Sequence, residues 1–169
     1  MDELTFLPRD PAHPDAIALV AELNAALARI TGCDGAASFA AEDIRGPGAL
    51  MLVAYRQGLP VACGAYRPLQ ESSATAEVKR VYARESGTGA PLLHALQTSA
   101  ALCGYARLVC ETRRINTRAV AFYLRAGWRE TAPYGKYVGR PEAICFEKIL
   151  NQSRAPHSAP HKEANVCRG

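Results

Sequence analysis

The chain has 169 residues, 49% hydrophobic and 21% charged, with a formal net charge of +4. That is the make-up of one globular domain with its own core; the charge is spread out, without the dense basic stripe that nucleic-acid binding needs. The longest apolar runs are too short to span a membrane. Six cysteines without a CxxC pair argue against a zinc ribbon and for reduced thiols in a cytoplasmic setting. The opening MDELTFLPRD is mixed and acidic, unlike a signal peptide.

Residues 4–7 read as a short strand, ended by Pro8 and Pro11. A helix follows over 14–30, with Ile17, Val20, Leu23, Leu27 and Ile30 on one face and Gly32 closing it. Residues 38–45 form a second, short helix with Ser38 as N-cap. Strands over 50–56 and 61–67 flank a turn at 57–60 and make a hairpin. A further turn at 70–73 leads into a third strand, 74–83, completing an antiparallel meander. Then comes a loop bearing Gly87 and Gly89, with Pro91 placed for a first helical turn and Leu92, Leu93, Leu96 and Ala100 at helical spacing. A helix that opens behind a bare glycine loop presents unpaired N–H groups and its positive dipole end, a seat for phosphate or pyrophosphate.

Residues 107–110 (RLVC) form the next strand. Residues 116–126 form a helix with Ala119, Val120, Tyr123 and Leu124 apolar, stopped by Gly127, and Trp128 begins an extended piece. Residues 143–150 are the last strand. From 151 the chain turns to Ser, Pro, His, Ala and Lys and is expected to be a disordered tail, so His157 and His161 make no metal site. The domain is therefore 1–150 and the tail 151–169. A meander joined to β-α-β crossovers predicts an α/β (α+β) fold: a mixed, mostly antiparallel sheet with helices on both faces.

Two stretches in order, Arg84-Glu85-Ser86-Gly87-Thr88-Gly89 and ETRRINTRAVAFYLRAGW over 111–128, resemble the GNAT N-acetyltransferases. The first is similar to that family's R-x-x-G-x-G/A loop, the second to its N-led helix with Y-x-x-x-G-[FWY]. Here Val81-Tyr82-Ala83 runs straight into Arg84, a shorter connection than most members carry. The resemblance implies transfer of an acetyl group from acetyl-CoA to a primary amine through a tetrahedral intermediate. It places the coenzyme A pyrophosphate on backbone N–H groups of Glu85, Ser86, Gly87, Thr88, Gly89 and Ala90, with Arg84 beside it. The backbone of Val81 and Ala83 would run along the pantetheine arm, and Val81 N–H would face the acetyl oxygen. Asn116, which opens a helix and caps it, would touch the cofactor. Tyr123, seven residues on and on the same helix face, would protonate the departing thiolate as general acid.

Strand alternation puts Thr75, Glu77, Lys79 and Val81 on one face, making Glu77 a candidate base, directly or through water. Glu111 reads as structural. Acceptor specificity is expected in loops 31–48 and 131–142, where Tyr134, Tyr137 and Pro141 either border the acceptor or pack the loop. Small amines and peptides both remain open as acceptors, as do monomer and homodimer; no metal, nucleic acid or membrane is implied. A non-catalytic acyl-CoA sensor is the alternative from another class. A dinucleotide-binding oxidoreductase shares the strand-glycine-helix layout, but the third glycine position is Leu92 and the strand carries Glu77, Lys79 and Arg80.

Overall fold

The computed structural model describes residues 2–36 and 40–150. The expected cap at Ser38 and the tail lie outside them. Seven strands and three α-helices follow in the expected order: β1 (Thr5–Pro8), α1 (Pro14–Thr31), β2 (Leu50–Arg56), β3 (Leu59–Leu69), β4 (Ser72–Ala83), α2 (Gly89–Leu102), β5 (Arg107–Arg113), α3 (Thr117–Arg125), β6 (Arg129–Thr131) and β7 (Ala143–Ile149). The sheet runs β1-β2-β3-β4-β5-β7-β6, and every neighbouring pair is antiparallel except β4–β5. The single parallel pair follows from α2, which carries the chain back to the starting end of the sheet before β5.

Local chemistry sets the boundaries. α1 starts where His13 accepts from the Asp15 amide and Pro14 takes the first helical position; it stops at Gly32, left-handed at φ 73°. The β2–β3 turn is tighter than expected, because Arg56 pairs with Leu59 and only Gln57 and Gly58 are left to reverse the chain. Both have positive φ, the conformation of a two-residue hairpin turn. The expected second helix is a 3₁₀ turn, Ala41–Ile44.

The sheet divides two cores. One face, with α2 and α3, buries Leu92, Leu93, Leu96, Leu108, Tyr123, Trp128 and Phe146. The other, with α1, buries Ala16, Leu19, Met51, Val53, Cys63 and Ala65. Ile17 and Ile30 do not join it. They are exposed, and the buried stripe of α1 is Ala16, Leu19 and Leu23. The 3.6-residue period holds, but the stripe is rotated by one position. Cys33, Cys63, Cys110 and Cys145 are free, in line with the reduced-thiol expectation.

One irregularity governs the middle of the sheet. Cys63 pairs with Tyr82 but Ala65 pairs with Lys79, so Arg80 and Val81 together oppose Gly64. This is a β-bulge, and Arg80 has φ +57°, an unfavourable region for a long side chain. The Arg80 guanidinium is held by Asn24 Oδ1 of α1 (2.8 Å) and by Gly35 O (2.5 Å). The bulge corrects the expected alternation. Thr75, Glu77 and Lys79 share the α1 face, whereas Val81 packs on the α2 core and Tyr82 on the α1 core.

Candidate active site

The parallel pair β4–β5 is only three residues long: Thr75, Ala76 and Glu77 against Arg107, Leu108 and Val109. Past Glu77 the two strands part, with Val78–Ala83 on one side and Cys110–Arg113 on the other. The sheet thus has a wedge-shaped opening at its centre, with an unpaired strand edge facing into it.

At one end of this opening lies the glycine loop. Among the described residues, the N–H groups of Ser86, Gly87, Gly89 and Ala90 make no hydrogen bond within the chain. Those of Glu85 and Thr88 are already used, donating to Val61 O and Glu85 O at 3.3 Å each. Thr88 is fully buried, and its hydroxyl donates to Glu85 O at 2.6 Å, pinning the loop's shape. Gly87 sits at φ +84° with open space around its α-carbon; at Gly89 a Cβ would come within 3.3 Å of Phe122, so that glycine lets α2 close on α3. Arg84 is committed elsewhere: its guanidinium meets Glu22 of α1 at 2.6 Å and Pro60 O at 2.8 Å. Glu85 pairs with Arg56.

On the α2–α3 face, Asn116 caps α3, accepting from the Ala119 amide at 3.2 Å. Tyr123 is buried between Phe122, Trp128 and Phe146, and its hydroxyl bonds Cys110, the first β5 residue beyond the paired stretch. Burial pushes its phenol well above the usual tyrosine range, so it keeps its proton.

On the opposite face Glu77 is 3% exposed. Tyr134 donates to its Oε2 at 2.6 Å, Arg67 approaches Oε1 at 3.0 Å, and Lys79 lies 3.7 Å away. Arg67 stands opposite Glu77 on β3 and also grips Asp43 at 2.6 Å. Burial lowers the Lys79 ammonium, partly offset by Glu77, and raises the Glu111 carboxyl, partly offset by Arg113. A cavity of about 400 Å³ opens beside Glu77, lined by Asp43, Arg67, Glu71, Tyr134, Lys136 and Tyr137 among others. Both expected specificity loops therefore supply a wall. Pro141 is not part of it; its carbonyl accepts from Arg114.

Glu77 and the cavity share one face of the opening, Tyr123 the other, and the glycine loop its end. Val81 and Ala83 line the β4 edge. Arg67, Asp43 and Lys136 carry no sequence signal of their own. Arg67 comes nearest to one, since it sits across the β3–β4 turn from Glu77, but the pairing depends on register. Among the described residues no cluster of His, Cys, Asp and Glu could hold a metal, and no helix is long and apolar enough to cross a membrane.

A seven-stranded, mostly antiparallel sheet with helices on both faces is the fold of known acyltransferases. Residues 19–128 match the profile of the "Acetyltransferase (GNAT) family", and the chain belongs to that family. It is 27% identical over 154 residues to the IAA acetyltransferase of Azospirillum brasilense, covering 89% of this chain and all of that one. A Klebsiella pneumoniae protein provisionally designated an acyl-CoA N-acyltransferase superimposes with a TM-score of 0.71 at 27% identity, over 88% of this chain and 98% of that one. The Salmonella typhimurium protein yncA, solved with its cofactor acetyl-CoA, shares the fold at a TM-score of 0.64 and 21% identity, over 92% and 99% of the two chains.

Proposed function

We propose that the protein moves the acetyl group of acetyl-CoA to a primary amine by direct attack, without an acetylated enzyme. The observation that carries this reading is the opening past Glu77, with a protonated phenol on one face and a polar cavity on the other. A thioester lying in it would meet its proton donor and its acceptor from opposite sides of the sheet. Salmonella yncA, solved with acetyl-CoA, adds a relative that holds this cofactor on the same fold.

In this reading the amides of Ser86, Gly87, Gly89 and Ala90 bind the pyrophosphate at the positive end of α2. Arg84, Glu85 and Thr88 shape the loop through Glu22, Arg56 and Val61 O. The pantetheine arm runs along the β4 edge past Val81 and Ala83, with Asn116 across the gap. The amine nitrogen attacks the thioester carbon, and the carbonyl oxygen takes up negative charge facing Val81 N–H, which stabilises it. Collapse of the intermediate expels the thiolate, which takes the Tyr123 proton. Glu77 receives the amine's proton through a water, since Tyr134 and Arg67 already occupy its direct contacts.

Tyr123→Phe keeps the ring packing and removes only the hydroxyl. Steady-state kinetics on this variant is expected to show kcat lower by about 10²–10⁴, with calorimetric acetyl-CoA affinity close to wild type. Unchanged kcat would remove the general-acid assignment. Acetyl-CoA binding without thiol release over a broad amine panel would instead favour a sensor.

A further inference from the structure

The cavity beside Glu77 carries charges that the fold does not neutralise. Arg67 is spent on Asp43 and Glu77. Two other lining groups have no oppositely charged partner within 4 Å among the described residues: the Glu71 carboxylate, against Gly135 at the rim, and the Lys136 ammonium, which leans over the Tyr137 ring 5.6 Å from its centroid. Lys136 is close enough to the opening to act on both Lys79 and Glu111. A volume of about 400 Å³ is at the small end of ligand sites. It suits a free small molecule better than a chain threaded through.

Resting on the transferase reading, we propose that the acceptor is a small amine that also bears a carboxylate, an amino acid in class. Its amino group points toward Glu77 and its carboxylate meets Lys136. The carboxylate meets a cation that is otherwise idle, and the ammonium enters beside Glu71, whose carboxylate has no cation within 4 Å among the described residues. Tyr134 and Tyr137 bound the space for the side chain. A peptide's amino terminus lacks the adjacent carboxylate and leaves Lys136 unmatched.

The test offers the full-length protein acetyl-CoA with amino acids, with the amines formed by their decarboxylation, and with short peptides, following thiol release. Amino acids are expected to exceed their decarboxylated counterparts in kcat/KM by about tenfold, the worth of one charge-assisted contact. Lys136→Ala should collapse that ratio toward one and Lys136→Arg should retain it; the site is exposed, so folding is not at stake. Decarboxylated amines or peptides turned over as well as amino acids, or a ratio indifferent to Lys136→Ala, would overturn the inference and leave the transferase reading intact. Failure to acetylate any amine would overturn both.

Discussion

Glu77 and Glu111 are both carboxylates on the α1 face of the opening, yet their surroundings differ. Glu77 has a tyrosine hydroxyl, an arginine fork and a lysine around it. Glu111 is half-buried, the one ion pair it makes being with Arg113 at 3.9 Å, and burial raises its carboxyl above 4.5. The folded protein therefore holds this proton more tightly than the unfolded chain, and stability falls as pH rises from 4.5 through the raised folded value. Glu111→Gln should raise the melting temperature at neutral pH, and the gain should vanish below about pH 4, where both forms are neutral. Calorimetric scans across pH read this directly. A loss of stability at pH 7 would mean that Glu111 is held by its neighbours more strongly than burial opposes it.

At the scale of the element, the α2 helix sits close on the sheet because β3 carries Gly64 beneath it. A Cβ there would lie 2.8 Å from Leu96 Cδ1 and 3.3 Å from Leu92 Cδ2, and both leucines are fully buried. Gly64→Ala should cost about 1–3 kcal/mol in urea unfolding, as overpacking does. Periodicity and turn chemistry revealed most of the elements, because strand, glycine loop and helix each leave a local mark. The bulge left none. A bulge residue with positive φ is usually glycine, and here it is Arg80, kept in place by Asn24 and Gly35 O from distant parts of the chain. Simple alternation therefore puts Val81 on the wrong face. Glu77, Tyr123, Asn116 and the glycine loop could be singled out because each has a motif or strand position. Arg67 and Lys136 could not, since their place depends on register and on the path of the loop after β6. The rotated stripe of α1 has a similar origin: Ala16 fits against the sheet where Ile17 would also satisfy the pattern.

At the scale of the molecule, the two halves of the sheet, β1–β4 and β5–β7, are joined along their strands by only three residue pairs. The helices α2 and α3 bridge them on one face. A bound cofactor that offers amide groups to the β4 edge would serve as a missing strand between the halves. Acetyl-CoA at a hundred times its dissociation constant should add about 2.7 kcal/mol to unfolding stability. Hydrogen exchange should slow most at residues 78–83 and 110–113. An equal rise in melting temperature with no added protection there would place the ligand elsewhere.

The Arg80 bulge gives that seam a mechanical meaning. The kink lies in the stretch of β4 that borders the gap, three residues past its last pair with β5, and its tether is α1. The free protein then holds a slot ready, and a ligand threading it would meet a β4 edge that no neighbouring strand covers. Loosening the Asn24 tether would take a partner from a buried guanidinium, so such a protein should melt at a lower temperature and hold the edge of the slot less firmly.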